Sequence, residues 1–473
     1  MLFSSFSFLF WFLPLTLFFY FLPPALYKRL KKGNARQDGT LAYQNGVLLI
    51  ASLLFYAWGE PLYLLLMIGV ILADTLFGLL LAKSPHRKTL LTVAVMFHVF
   101  LLFYYKYAAF FANALGFYLQ NPRLPLGISF YTFQALSYLI DVYRGEVKPE
   151  KNPALLGVYV ALFPQLIAGP IVRYKDVATA LRQRRHSIGG VAAGSRRFIA
   201  GLAKKMLLAN SMGALFSLLQ GRHGLSALGA WTALFAFAFQ IYFDFSGYSD
   251  MAIGLGRIFG FRFPENFRYP YMAKSVTDFW RRWHITLSTF FKEYVYIPLG
   301  GNRKGVFRTV LHLFAVWALT GLWHGAAWNF VLWGIYYFLL LIFEKFFLSK
   351  LPPLPPLMGR IGTLIAILFG WAIFAFDSST PTLSFAAMRD FLGILFGAGG
   401  FLTRADLYDT VRYLPLLALC AIGSTPLPRI IYRQTVFKKR RFWLSVSLPL
   451  AALLLSLAEL SAGGFNPFLY FRF

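Results

Sequence analysis

Seven histidines are the main proton-transfer candidates in the chain, and their surroundings sort them. His324 stands in Gly-Leu-Trp-His-Gly-Ala-Ala-Trp-Asn (Gly321 to Asn329), between two apolar runs, flanked by small residues that permit close approach of a substrate or a second helix. A histidine at membrane depth stays mostly neutral because burial disfavours the cation, and the neutral imidazole is the form that accepts a proton. A packing histidine bonded to a neighbouring carbonyl would suit the same place. His284 closes Asp278-Phe-Trp-Arg-Arg-Trp-His284 in a basic segment. If that segment is helical, Asp278 and Arg282 pair at i and i+4 and Trp280 stacks one turn before His284. Arg281 and Arg282 then either anchor an interfacial helix among headgroups or attract an anionic donor. His86, His186 and His223 lie in basic or Gly-rich loops and read as solvated; His98 and His312 read as hydrogen-bonded core residues.

Four acids sit in apolar sequence: Asp74, Asp141, Asp244 and Asp250. Carboxylates at membrane depth suggest function by default, but the abundant basic residues make structural ion pairs an equal reading. No metal site is expected, since no histidines fall at i and i+4 and no His/Asp/Glu cluster has ligand spacing. The single Cys420 excludes a disulfide framework and a cysteine metal site. Phosphate-binding, nucleophile-elbow and dinucleotide motifs are absent.

These residues must be held by a chain made for lipid. Of 473 residues 58% are hydrophobic and only 14% charged, which excludes an ordinary soluble enzyme. The net charge of +28 would suggest nucleic acid in a soluble protein; in a polytopic one it is the sum of basic cytoplasmic loops, so no nucleic-acid partner is expected. Apolar runs predict helices near 4–27, 41–58, 61–82, 89–119, 124–143, 153–170, 191–220, 227–247, 307–323, 326–347, 361–376, 411–431 and 442–461. Loop charge places both termini outside the cell. The fold class expected is an all-α polytopic membrane protein with about 11 to 13 membrane helices, plus re-entrant and interfacial helices around a central tunnel. Two places break the alternation of loop charge. Residues 153–187 would expose Arg173, Lys175, Arg182, Arg184 and Arg185 on the outside unless the chain turns back at Gly169-Pro170. Residues 257–308 interleave basic and aromatic residues with no run apolar enough to span. They read as cytoplasmic-face helices partly sunk into the protein, and the two anomalies together predict a funnel open to the cytoplasm.

Several longer motifs carry a resemblance. Phe163-Pro-Gln-Leu-Ile-Ala-Gly-Pro170, the runs Gln240 to Gly254 and Asp278 to Gly301, Glu265-Asn-Phe-Arg-Tyr-Pro-Tyr271 and Gly321-Leu-Trp-His-Gly325 resemble the membrane-bound O-acyltransferases, and within them the group that O-acetylates polysaccharides such as alginate. The likeness is strong over about 40–350 and continues as layout, so residues 1–350 are expected to form the catalytic membrane core and 351–473 further helices with an extracytoplasmic tail. The resemblance implies a helical fold around a tunnel, with His324 in the place of the central catalytic histidine and His284 in that of the second. It implies an acyltransferase that takes acetyl from a cytoplasmic thioester such as acetyl-CoA, with no tightly bound cofactor. Asp278, Arg281, Arg282 and Asn329 are the donor-binding candidates.

The acceptor is expected in the chain itself. The tail Phe468-Leu-Tyr-Phe-Arg-Phe473 resembles the F-x-Y-x-x-F end of the small teichoic-acid D-alanylation peptide, which makes Tyr470 an acyl relay candidate; an aromatic interfacial anchor is the competing reading. The implied partner is an extracytoplasmic esterase-fold (SGNH-like) acetyltransferase that delivers the group to a polysaccharide. The implied location is the bacterial cytoplasmic membrane. D-alanyl transfer to teichoic acid and peptidoglycan O-acetylation are alternatives within the class, and a transporter or flippase is the alternative outside it.

Overall fold

The computed structural model describes residues 1–30, 37–120, 122–167, 169–352, 355–375, 381–438, 441–463 and 469. Every regular element among them is helical. Nine of the described helices are long and apolar enough to cross a bilayer, or ten if the bent pair Arg404–Gly423 and Leu427–Val436 counts as one span. The protein is therefore an all-α polytopic membrane protein. Three of the thirteen apolar runs fall outside this set. The Ile128–Arg144 helix is 17 residues long and buries Asp141. The helical stretch from Ile188 to Gln220 carries Arg196, Arg197, Lys204 and Lys205. The third run is broken.

That break leaves two short helices in place of one span. The Pro153–Ala161 and Tyr174–Arg182 helices have nine residues each, about 14 Å at 1.5 Å per residue, against a hydrocarbon core of about 30 Å. They pack on each other. The Tyr159 hydroxyl ties them by donating to the Val172 carbonyl at 2.9 Å. At the turn, a Cβ on Gly169 would lie 2.6 Å from the Gln165 Cα, so only glycine fits there.

The chain divides into two compact units, one of Met1–Ile199 with Tyr248–Pro264, the other of Ala200–Gly247 with Glu265–Phe473. In the first, the Tyr63–Lys83, Arg87–Leu102 and Ile128–Arg144 helices pack together. Polar groups of this unit pair off: His98 Nε2 meets Asp74 Oδ1 at 2.7 Å with both side chains buried, and Arg197 meets Asp250 at 2.8 Å. His98 is thus a bonded core residue. His86 is exposed, as a loop histidine should be. His186 departs from the solvated reading, because its Nε2 lies 3.1 Å from the Tyr20 hydroxyl and its ring packs edge-on against Tyr20 and Phe21.

In the second unit the Val306–His324 and Trp328–Phe346 helices form a hairpin, against which the Pro356–Ala375 helix packs. His312 is held there by the Gly301 carbonyl, 2.8 Å from Nδ1, and His223 is exposed. Aromatic side chains fill the interior, including Trp283, Trp333, Trp371, Phe279 and Phe330. This is the unit that contains both candidate histidines of the sequence.

Candidate active site

The basic segment around His284 is not one helix. The Val276–Trp280 helix stops, residues 281–283 turn, and a new helical stretch begins at Ile285. The break is at His284 itself, whose φ of 43° and ψ of 53° are left-handed. Only Tyr269 and His284 among the described non-glycine residues have positive φ. Such backbone is strained for a side chain with a Cβ and persists where surrounding contacts over-determine it. Here those contacts come from the loop before it. Asn266 is fully buried; its carbonyl takes the Ile285 N–H at 3.0 Å, and its Oδ1 takes the Thr286 N–H at 3.3 Å and the Thr286 hydroxyl at 2.9 Å. The Arg268 N–H donates to the Arg282 carbonyl at 2.9 Å, completing the pairing of the two loops.

His284 Nδ1 lies 3.2 Å from the same Asn266 Oδ1. Burial pushes the imidazole down to about 3, so it is neutral at physiological pH. Phe245 meets the ring edge-on at 4.7 Å, and Phe267 lies at 6.5 Å.

From the other end, the segment is fixed to the hairpin. Glu344, on the Trp328–Phe346 helix, accepts the Val276 N–H at 2.7 Å and the Thr277 N–H at 3.2 Å, while Ser275 Oγ accepts the Asp278 N–H at 3.1 Å. These bonds satisfy the open donors of the short helix. Asp278 and Arg282 do pair at i and i+4, at 2.8 Å. Burial works to raise the Asp278 carboxyl, but the bonds from Arg282 and the Lys274 N–H outweigh it and hold it below its ordinary value. Trp280 does not stack on His284, because the left-handed residue turns the chain away. Its ring instead meets Trp317 and Tyr337 at 4.8 Å and Trp333 at 5.5 Å. Arg281 is exposed.

His324 is the last residue of the Val306–His324 helix and is buried. Two glycines set its position. A Cβ on Gly321 would lie 2.4 Å from the Phe330 carbonyl oxygen, and one on Gly334 would lie 2.6 Å from that of Trp317, so the hairpin helices touch backbone to backbone. A Cβ on Gly325 would meet the Phe330 ring at 2.2 Å. Around the imidazole, Trp333 lies edge-on at 4.9 Å, Phe374 edge-on at 5.4 Å and Phe330 at 6.5 Å. Asn329 gives its amide to the Phe374 carbonyl at 3.1 Å and so ties the hairpin to the Pro356–Ala375 helix.

The two histidines come together through Trp323. Its ring lies 5.8 Å from that of His284 and 5.0 Å from that of its neighbour His324. Two buried imidazoles that share one indole neighbour, within an aromatic cluster, are groups of the kind that exchange a proton with a hydroxyl. Among the described residues no three His, Cys, Asp or Glu side chains converge as metal ligands would.

Comparison with known proteins identifies the family. The family model of the membrane-bound O-acyltransferases matches residues 53–386, which takes in both histidines and the loops that hold them. The chain belongs to that family. As a membrane-bound O-acyltransferase it is an enzyme, an acyltransferase. It is similar to a probable alginate O-acetylase of Pseudomonas aeruginosa, 40% identical over 390 residues that cover 79% of this chain and 72% of the relative. It is also similar to a probable alginate O-acetylase of Pseudomonas putida, 36% identical with both chains covered in full. A peptidoglycan O-acetyltransferase of Helicobacter pylori is 36% identical over 325 residues, 61% of this chain and 62% of that one.

In this membrane-bound O-acyltransferase the sequence motifs located His284 and His324, but not what orients them. Asn266 lies 18 residues before His284 and Glu344 67 or 68 residues after the amides it caps. In both cases the partners lie on separate elements, not along one helix. Tyr470 lies outside the described residues; its neighbour Leu469 is described and buried.

Proposed function

We propose that the protein moves an acetyl group from a cytoplasmic thioester, acetyl-CoA, across the bacterial cytoplasmic membrane for O-acetylation of an alginate-like exopolysaccharide. The observation that carries the reading is the pair of buried histidines flanking Trp323, in a chain aligned along its whole length with a probable alginate O-acetylase. Residues 1–350 form the catalytic core and 351–473 the C-terminal helices, with both termini extracytoplasmic by loop charge.

The donor's phosphates are drawn to the basic segment, where Arg281, Arg282 and its partner Asp278 form the entrance and Asn329 lines the way to His324. His324 takes the proton of an acceptor hydroxyl as that oxygen attacks the thioester carbonyl. A C–O bond forms and the C–S bond breaks. The leaving thiolate recovers the proton from the imidazolium, so the ring returns neutral. His284, neutral and oriented by Asn266, shares or steers the proton.

The acceptor hydroxyl is that of Tyr470, which holds acetyl as a phenyl ester until an extracytoplasmic esterase-fold (SGNH-like) transferase removes it to the polysaccharide. A phenol with a pKa near 10 makes a better leaving group than a sugar hydroxyl, which suits a relay. Incubating purified protein with labelled acetyl-CoA in the absence of any ion gradient tests the reading. Thioester turnover with an acetyl adduct on the peptide holding Tyr470 is expected. Turnover without the adduct would remove the relay, and gradient-dependent transport without turnover would remove the enzyme reading. The Helicobacter pylori relative favours peptidoglycan as a second acceptor glycan.

A further inference from the structure

A third cluster of polar groups lies buried in the unit that holds the histidines, and neither histidine is part of it. Lys205 Nζ and Asp244 Oδ1 pair at 2.8 Å, each side chain only 3% exposed. Ion pairs this deep are seldom kept for stability, since packed apolar residues do as well, so a buried pair invites a search for a second task.

The local structure is built for the pair. Lys205 sits in Lys204–Ala209, where the helix widens by one residue per turn, a distortion that recurs at functional sites. Asp244 lies within the Ala227–Ile258 helix. One turn on, Gly247 lets the two backbones meet: a Cβ there would fall 2.7 Å from the Gly201 carbonyl oxygen and 3.2 Å from the Lys205 nitrogen.

The second carboxylate oxygen of Asp244 accepts the backbone N–H of Leu469 at 2.9 Å, from 225 residues further along the chain. The Leu469 side chain is 6% exposed, in the same apolar cluster as Trp283, Phe330 and Phe374. Those residues adjoin or line the histidines: Trp283 precedes His284, and Phe330 and Phe374 pack on His324. A carboxylate that accepts a main-chain N–H, on a residue whose own side chain is buried, holds a peptide in one register.

We propose that the Lys205–Asp244 pair is a dock for the C-terminal segment of this chain, with Lys205 paired to one oxygen of Asp244, the other oxygen holding the Leu469 N–H and the apolar cluster covering the Leu469 side chain. Asp244 is then a positioning residue: it fixes the tail at Leu469 and so acts on the loading of Tyr470. The role given to Tyr470 rests on the relay reading above; the docking does not. One hydrogen bond and one side chain make a reversible attachment, as a segment that must later deliver its load requires.

The test uses the full-length protein in detergent, comparing wild type with the double variant Asp244→Leu/Lys205→Met, which removes both charges together and leaves neither buried alone. Hydrogen exchange of the C-terminal peptide containing Leu469, read by mass spectrometry, reports the dock. The double variant should exchange this peptide about tenfold faster, the factor expected for loss of one protecting hydrogen bond. Acetyl loading of Tyr470 should fall by a similar factor with donor KM unchanged. A second pair of variants works from the tail, and both truncate the Leu469 side chain: Leu469→Pro also deletes the donated N–H, whereas Leu469→Ala keeps it. Loading that falls further in Leu469→Pro than in Leu469→Ala supports the dock. Unchanged exchange in the double variant, or equal loading in the two tail variants, overturns it. Faster exchange in the double variant, with no adduct on Tyr470 even in wild type, upholds the dock and rejects the relay.

Discussion

Asn266 decides which nitrogen of His284 carries the proton. Its Oδ1 already accepts the Thr286 backbone N–H, which can only donate, so the amide oxygen faces the ring and His284 Nδ1 must donate to it. The neutral imidazole therefore presents the lone pair on Nε2, the form of histidine that receives a proton.

Replacing Asn266 with Ala removes this selection and leaves the Thr286 donors without their acceptor. Acetyl transfer should fall roughly 10- to 100-fold, the range for losing a partner that orients a functional histidine, and the thermal midpoint should drop as well. Wild-type turnover in Asn266→Ala would mean that the tautomer is not selected here.

His284 should also mark itself in the pH dependence of stability. Its folded value is about 3 against an unfolded value near 6.5. Between these the unfolded chain binds a proton that the folded one does not, so the contribution is complete above about pH 6.5 and is lost as the pH falls toward 3. The slope is at most about 1.4 kcal/mol per pH unit. Asn tolerates the left-handed backbone, so His284→Asn keeps the turn. Going from about pH 7 to about pH 5, the wild-type midpoint should fall more than that of His284→Asn; parallel curves would contradict the neutral buried imidazole.

The hairpin that presents His324 depends on glycine contact. In Gly321→Ala the new methyl carbon would stand 2.4 Å from the Phe330 carbonyl oxygen, so the helices must part. A loss of about 1–3 kcal/mol is expected, as for overpacking elsewhere, together with reduced turnover as His324 shifts. Gly362→Ala is the control, because nothing lies within 4 Å of its added carbon. Equal behaviour of the two variants would show that the close approach does not position His324.

At the basic segment, Arg281 is exposed and Asp278 is already committed to Arg282. Arg281→Glu should raise the donor KM, on the order of fivefold at low salt and less at high salt, with kcat nearly unchanged. An unchanged KM would place the donor phosphates elsewhere.

Much of this architecture was legible in the sequence, and the limits are physical. Apolar runs located most spans because lipid leaves little choice of residue, and loop charge exposed the broken segment after Pro153. The Asp278–Arg282 pair followed from helical spacing. The left-handed turn at His284 did not, because it is imposed by Asn266 from a neighbouring loop, and no periodicity reports a contact between loops. Glu344 as a cap on the Val276–Trp280 helix, and the meeting of Lys205, Asp244 and Leu469, are long-range for the same reason. Asp244 could be singled out as an acid in an apolar run; its two partners could not.

The central claim is that His324 is the base of an acyl transfer that this protein performs itself. The most direct measurement is acetyl transfer from acetyl-CoA by purified His324→Ala, alongside its thermal midpoint and size-exclusion profile. Transfer should fall by about 10² to 10⁴, the usual contribution of a positioned base, while the variant remains inserted and folded. Near-wild-type transfer by a well-folded His324→Ala protein would contradict the account.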